Sequence, residues 1–216
     1  MSRDDAWSAK WSCEKLISHD EVISAEPVGG NLIQLSVKEL EEPVLVFAMS
    51  KPKVAASDVQ DARDAGDIEF AMNIPKNAVL QRGAIEAAES IPIGLGGLGD
   101  LYIAVNEREF RHYLPKETRF ILRGLEQHSA VSKVVRENNR TYLVERHGMS
   151  EVRVLALNDY DLTAEAVRDG IEKFGKCDIV LMSNPNCRPS VESFEVAKHS
   201  STRILKWGQL LGALNH

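Results

Sequence analysis

An internal repeat is the feature that most constrains how this 216-residue chain can fold. Segments 67–77 and 178–186 both consist of an acidic residue, a short apolar stretch, and then Asn, Pro and Asn. Beyond them, residues of the first half recur in the second at one constant spacing: Glu86, Ala88, Gly99, Ala104 and Asn106 match Glu195, Ala197, Gly208, Ala213 and Asn215. Because the matches stay collinear over whole halves, the sequence predicts two tandem copies of one α/β unit, residues 1–106 and 107–216.

Turn residues and periodicity predict the elements of each copy. A hairpin turns at Gly-Gly-Asn (29–31) in the first copy and at Asn-Asn-Arg (138–140) in the second, because Gly and Asn supply the positive φ angles of tight turns. Each hairpin leads into an apolar strand, and helices flank the strands. The helix that opens the second copy carries the apolar residues Phe120, Ile121 and Leu125. Each copy is therefore predicted as α-β-β-β-α-β-α-β-α.

This order of elements, with small residues at fixed places, resembles the Mrr-type branch of restriction-endonuclease-like proteins. The likeness is carried by Phe-Ala-Met-Asn (70–73), Gly-Ala-Ile-Glu-Ala-Ala (83–88) and Gly-Asp-Leu (99–101). The second copy repeats it in Leu-Met-Ser-Asn (181–184), Glu-Val-Ala (195–197) and Gly-Gln-Leu (208–210). The resemblance implies an α/β fold in which two degenerate nuclease-like units form an intramolecular pseudo-dimer.

The usual catalytic motif of that family is missing from both copies. Such nucleases carry an Asp near the second hairpin strand and Glu-x-Lys or Gln-x-Lys on the next strand, where they hold a divalent metal. Neither apolar strand, 44–49 or 154–158, contains an acid-x-lysine. We therefore predict no catalytic residue and no cofactor, and we leave open whether the chain is an enzyme.

One alternative is a metal-dependent nuclease whose active site has moved within the second copy. Glu145, Asp159 and Asp161 are the candidate ligands, since carboxylates near one strand end can bind magnesium or manganese. The competing interpretation is a turn at residues 158–161 that caps the following helix.

A second alternative is a small-ligand or nucleotide sensor that uses the two Asn-Pro loops. Both loops fall at the carboxyl end of a predicted strand, which is where open α/β sheets bind ligands. The same side chains could instead fix the turn and cap the next helix. The candidate ligand residues are Asn73, Pro75, Lys76, Asn77, Ser183, Asn184 and Asn186.

Charge distribution suggests a third kind of site. The net charge of −6 argues against a protein that coats nucleic acid generally. Residues 107–148, however, hold nine basic and six acidic side chains. This strip is either a solvated surface or a phosphate-binding region, whose candidates are Arg119, Arg123, Lys133, Arg136, Arg140 and Arg146. Our first hypothesis is therefore a non-catalytic nuclease-like protein that binds DNA, RNA or a protein partner.

The remaining signals bound the environment of the chain. Three cysteines without CxxC spacing make a disulfide framework or a cysteine zinc site improbable. No apolar run is long enough to span a bilayer and the start lacks a signal-type stretch, so we expect a cytoplasmic protein without a membrane partner. Residues 94–99 spell GxGxxG, but the second copy keeps only the last glycine, which favours a flexible turn. His19 and His128 match in position and are expected to pack or cap at a helix end.

Overall fold

The computed structural model describes residues 3–216, with side chains from residue 7 onward. The chain divides into two compact units between Pro115 and Lys116. The predicted division after residue 106 falls inside a helix that ends at Glu107. The residues that follow still belong to the first unit, because Phe110 and Tyr113 are buried in its core.

The first unit contains these elements in chain order: α1 (Arg3–Leu16), β1 (Val22–Gly29), β2 (Leu32–Val37), β3 (Val44–Met49), β4 (Lys53–Val54), α2 (Ala56–Asp64), β5 (Phe70–Asn73), β6 (Val79–Leu80), α3 (Arg82–Ser90), β7 (Gly94–Gly97) and α4 (Leu98–Glu107).

The second unit contains the following elements: α5 (Lys116–Glu126), β8 (Val131–Arg136), β9 (Thr141–Arg146), β10 (Met149–Leu157), β11 (Asp161–Leu162), α6 (Ala164–Phe174), β12 (Ile179–Met182), β13 (Arg188–Pro189), α7 (Val191–His199), β14 (Arg203–Lys206) and α8 (Trp207–Ala213).

Each unit has a mixed five-stranded sheet, and the predicted α/β class is confirmed. The strand order is β1-β2-β3-β5-β7 in the first unit and β8-β9-β10-β12-β14 in the second. The first three strands of each sheet are antiparallel neighbours, and the last three are parallel. The short strands β4 and β6, and likewise β11 and β13, form small two-stranded sheets that the sequence did not reveal.

Helices cover both faces of each sheet. In the first unit, α1 and α4 bury Leu16 and Leu101 against one face, whereas α2 and α3 bury Val59 and Ala84 against the other. In the second unit, α5 and α8 cover one face and α6 and α7 the other. Central strands covered on both sides need apolar residues at nearly every position, which explains the apolar runs of β3 and β12, of residues 70–72 in β5 and of residues 154–157 in β10. No helix of the described residues is long and apolar enough to cross a membrane.

Candidate functional site

The first Asn-Pro loop begins with a buried asparagine. Asn73, the last residue of β5, is 2% exposed and pairs with Met49 at the end of β3. Its side-chain oxygen accepts a hydrogen bond from the Lys51 backbone N–H at 2.9 Å, and its side-chain nitrogen donates to the Lys51 carbonyl at 3.0 Å. Asn73 therefore fixes the chain that leaves β3. Pro75 is half-buried, while Lys76 and Asn77 are exposed in the turn that follows.

The second loop is built differently. The residue that pairs with the end of β10 is Met182, so the second unit has no asparagine at the place of Asn73. Asn184 instead closes a turn, because its side-chain oxygen accepts a hydrogen bond from the Asn186 backbone N–H at 2.9 Å. The two loops therefore do not place equivalent asparagine side chains at the sheet ends.

A polar cluster around Glu117 occupies that end of the second unit's sheet. Arg140 donates from Nη1 to both carboxylate oxygens of Glu117 at 2.9 Å. Ser183 Oγ donates to Oε1 at 2.5 Å, and Asn158 Nδ2 donates to Oε2 at 3.0 Å. The structure thus brings together Arg140 and Ser183, which the sequence placed in two separate candidate sites, and adds Glu117 and Asn158. We call these four residues the Glu117 cluster.

Four separate elements position the Glu117 cluster. Glu117 lies in the first turn of α5, where the helix dipole favours an acidic side chain. Arg140 follows a turn held by buried Asn138, whose side-chain oxygen accepts from the backbone N–H groups of residues 140 and 141 at 2.8 Å. Asn158 and Ser183 follow β10 and β12 at their carboxyl ends. The cluster therefore lies where open α/β sheets bind ligands.

The charges of the Glu117 cluster satisfy one another. One carboxylate faces one guanidinium, and their side chains are 23% and 34% exposed. Burial raises the pKa of the neighbouring Tyr142, so this phenol stays protonated and uncharged near neutral pH. A divalent cation that approached Glu117 would meet the positive charge of Arg140. The cluster is thus suited to holding α5 and three loops together, and it lacks the paired carboxylates of a metal centre.

The three predicted metal ligands do not meet. Thr141 of β9 pairs with Leu155 of β10, and Glu145 lies four residues beyond Thr141 in the direction opposite to Asp159 and Asp161. At about 3.3 Å per strand residue, Glu145 and Asp159 are separated by on the order of 20 Å. Within residues 3–216, no group of three or more His, Cys, Asp or Glu side chains could hold a metal ion.

Two of the six predicted phosphate-binding residues serve inside the fold. Arg140 belongs to the Glu117 cluster. Arg146 is 9% exposed, and its guanidinium donates to the carbonyls of Ser150, Leu214 and His216. Arginine near the last carbonyls of a helix stabilises that helix end, so Arg146 anchors the chain after α8 and does not face solvent.

The other four basic candidates differ in exposure. Lys133 Nζ lies 3.9 Å from a carboxylate oxygen of Glu145 on the neighbouring strand, and Arg136 is half-buried. Arg119 and Arg123 are exposed on α5. These last two lie four residues apart and therefore share one face of the helix.

An exposed aromatic ring lies beside these arginines. Phe120 is 58% exposed, although the sequence placed it among the apolar residues of this helix together with buried Ile121 and Leu125. Its ring centroid is 4.8 Å from that of Trp207, at an interplanar angle of 50°. Trp207 packs closely against α5 because residue 124 is a glycine. A Cβ atom at that position would lie only 2.3 Å from the Trp207 ring.

Further basic residues flank the aromatic pair. Lys116 precedes Phe120 by four residues on α5, and Lys206 precedes Trp207. We call the whole set the basic aromatic surface; it consists of Lys116, Arg119, Phe120, Arg123, Lys206 and Trp207. The sequence signal for it was a phenylalanine next to arginines on the polar side of α5, with a glycine one turn later.

The GxGxxG segment has a packing role. Residues 94–97 form β7, so the expected flexible turn is wrong. A Cβ atom at Gly94 would lie 2.2 Å from the carbonyl oxygen of Phe110, and one at Gly96 would lie 2.6 Å from the Asp100 side chain. These glycines let the chain pass close to its neighbours.

The histidines and cysteines have structural environments. His19 and His128 each accept a backbone N–H two residues ahead through Nδ1, at 3.3 and 3.2 Å, in the turns that follow α1 and α5. All three cysteines are buried free thiols. Burial raises the pKa of the Cys177 thiol to about 11, so it is a weak nucleophile at neutral pH.

A surface groove of about 520 Å³ lies in the first unit. It is lined near the starts of β3 and β5 by Val44 and Glu69, which places it at the amino ends of the parallel strands. Ligands of open α/β sheets bind at the opposite end. The lining residue Arg108 is already paired with Glu21 and Glu39.

Comparison with known proteins adds no family or relative to these observations. No protein-family model matches the sequence, and neither the curated proteins nor the solved structures contain a significant match.

Proposed function

We propose that this protein is a non-catalytic nucleic-acid-binding protein built from two degenerate restriction-endonuclease-like units. The identical order of elements and strands in the two units supports a tandem duplication. The hairpin, central strand and two parallel strands of each sheet are consistent with the resemblance seen in the sequence.

The basic aromatic surface is the observation that carries the proposal. It places Lys116, Arg119, Arg123 and Lys206 near the exposed Phe120 and the half-buried Trp207, within a chain whose net charge is −6. A local concentration of positive charge supplies the sequence-independent part of nucleic-acid affinity. Aromatic rings between basic residues supply stacking partners for bases.

The Glu117 cluster supports the absence of catalysis. It lies beside the second hairpin strand and the next strand, where the family resemblance implies a catalytic metal. A guanidinium pairs with the carboxylate at that place, and the described residues contain no metal-binding group of side chains. The separation of Glu145 from Asp159 and the buried state of Asn73 leave the nuclease and sensor alternatives without a supporting observation.

Salt-dependent binding to DNA and RNA tests the proposal. Four phosphate contacts predict a slope of about −3 to −4 for log K against log salt concentration, or about 100-fold weaker binding at 200 mM than at 50 mM salt. The double variant Arg119→Glu and Arg123→Glu should weaken binding and flatten this slope by about two. Fluorescence anisotropy with labelled oligonucleotides measures both quantities.

A matched control changes the same charge on the other side of the sheet. Arg168 and Lys198 are exposed on α6 and α7, so Arg168→Glu with Lys198→Glu should leave binding close to wild type. Absence of binding at 50 mM salt, or equal losses in both double variants, would contradict the proposed surface. Cleavage of DNA or RNA with magnesium or manganese, abolished by Glu117→Gln, would contradict the absence of catalysis.

A further inference from the structure

We propose that the basic aromatic surface selects single-stranded nucleic acid over duplex by stacking an unpaired base on Phe120. This inference rests on the proposed function and specifies its ligand. A base in a duplex is already stacked on its neighbours, whereas an unpaired base offers a free π-face to an aromatic side chain.

Phe120 has the geometry of a supported stacking platform. More than half of the residue, 58%, is exposed, while Trp207 packs beside it at 4.8 Å and limits the ring's movement. The two ring planes are tilted by 50°, so Trp207 is not stacked flat on the Phe120 ring. A ring that is held in place loses little conformational entropy when a base stacks on it.

The surrounding charges follow the helix axis. Lys116 and Arg123, with Arg119 between them, lie seven residues apart on α5, which is about 10 Å at 1.5 Å per residue. This length matches a run of two or three nucleotides. A backbone lying along the arginine face would place one of its bases over Phe120, one helical position away.

The corresponding helix of the first unit provides an internal comparison. On α1, Trp7 and Trp11 stack at 6.2 Å, and Trp7 is 54% exposed. Lys15 Nζ lies 5.9 Å from the centroid of the Trp11 ring, but residues 1–106 as a whole hold nine basic and seventeen acidic residues. On α5, Glu117 is paired with Arg140, so the helix carries the exposed basic residues Lys116, Arg119 and Arg123 against one exposed acidic residue, Glu126. Exposed aromatic rings alone are therefore not expected to bind nucleic acid in this protein.

Anisotropy titrations of the full chain with a labelled 12-nucleotide oligothymidylate and a 12-base-pair duplex test the inference. We expect the single strand to bind at least tenfold more tightly than the duplex. Phe120→Ala should weaken single-strand binding about tenfold, the effect of losing one stacked base, and should change duplex binding less than twofold. Phe120→Trp keeps a stacking ring and should restore binding.

Two matched variants control for the loss of an aromatic ring. Phe194→Ala removes another exposed phenylalanine of the second unit, and Trp11→Ala removes the ring at the Phe120 position of the first unit. Neither should change the dissociation constant. In a Trp7→Phe and Trp11→Phe background, Trp207 is the remaining tryptophan, and its fluorescence should be quenched when oligothymidylate binds.

The outcomes separate this inference from the function on which it rests. Equal or tighter binding of the duplex, or an unchanged single-strand affinity in Phe120→Ala, overturns the inference. In that case a loss of binding in the double variant Arg119→Glu and Arg123→Glu would still support the proposed function. Failure to bind either oligonucleotide at 50 mM salt overturns both. Circular dichroism of Phe120→Ala should match wild type because the substituted side chain is exposed.

Discussion

Replacing Glu117 by alanine is expected to lower the free energy of unfolding of the second unit by about 2–3 kcal/mol. The carboxylate accepts hydrogen bonds from Arg140, Ser183 and Asn158, which belong to three different loops. Its removal leaves a partly buried guanidinium, a hydroxyl and an amide without this acceptor. Helix α5 loses its connection to the carboxyl ends of β10 and β12.

The magnitude follows from how much of the Glu117–Arg140 pair is buried. Breaking a fully buried ion pair costs about 3–5 kcal/mol, whereas an exposed pair contributes about 0.2–1 kcal/mol. The two side chains are 23% and 34% exposed, so solvent screening reduces the cost below the buried limit. Arg140→Ala should cost less, about 1–2 kcal/mol, because the hydrogen bonds from Ser183 and Asn158 still stabilise the carboxylate. The double-mutant coupling energy should be about 1–2 kcal/mol.

Urea unfolding monitored by Trp207 fluorescence measures the effect, in a Trp7→Phe and Trp11→Phe background so that only the second unit is reported. Glu145→Ala is the control, because Glu145 forms an exposed pair with Lys133 in the same unit whose loss should cost at most about 1 kcal/mol. If Glu117→Ala costs no more than Glu145→Ala, the cluster does not hold the sheet end together and the reasoning fails.

Three further predictions concern the buried groups of the fold. Burial raises the pKa of Cys177 to about 11, from about 9 in the unfolded chain, so the stability that the protonated thiol contributes is complete below pH 9 and is lost as the pH rises towards 11. Between pH 8 and pH 11 the free energy of unfolding of wild type, measured in urea, should fall by about 2 kcal/mol more than that of Cys177→Ala, and equal losses would argue against the shift. Arg146→Ala should destabilise the second unit by about 2–3 kcal/mol in the same assay and leave the oligonucleotide affinity of the folded protein unchanged. Weaker binding without destabilisation would instead indicate that Arg146 contacts nucleic acid. Gly94→Ala should destabilise by about 2–3 kcal/mol because its Cβ would meet the Phe110 carbonyl, whereas Gly99→Ala, with open space around it, should be neutral or stabilise by up to about 1 kcal/mol; similar thermal shifts in both would refute the packing role of Gly94.

The α/β class could be predicted because it depends on local patterns. Hairpins appeared as Gly and Asn turns between alternating residues, and the central strands appeared as unbroken apolar runs. The matching positions of His19 and His128 could also be seen in the sequence, and each side chain contacts backbone only two residues away. Each of these features is encoded within a few residues of sequence.

The alignment of the two Asn-Pro loops failed for a local reason. The similar dipeptides Asp-Ile at 67–68 and 178–179 were matched, but the register pairs Phe70 with Val46 and Ile179 with Val154. Glu69, and not Asp67, therefore precedes β5 as Asp178 precedes β12. Correcting the alignment by two residues places Asn73 at the buried end of β5 and not in the loop. There its side-chain amide forms hydrogen bonds with the Lys51 backbone.

The contacts of the candidate residues could not be predicted for a different reason, which is the distance along the chain between the partners. Glu117 and Ser183 are 66 residues apart, and Arg146 and Leu214 are 68 residues apart. Contacts of this kind depend on which loops the sheet brings together. Charge counts could mark residues 107–148 as basic, but they could not distinguish Arg146, which is used inside the fold, from Arg123, which faces solvent.

The two units also differ at the positions of the Glu117 cluster in a way that bears on function. By strand register and helix position, the first unit carries at these places Ser8, Asn31, Ser50 and Ile74. The first unit therefore has neither the carboxylate of Glu117 nor the guanidinium of Arg140. A partly buried charge without its partner is costly, so the two charges are expected to be present together or absent together.

Helix α5 carries the paired Glu117 in its first turn and the basic aromatic surface on its outer face. The same pair therefore neutralises the acidic residue next to Lys116, which leaves Glu126 as the exposed acidic residue of α5, and it fixes the first turn of the helix that carries Lys116 and Phe120.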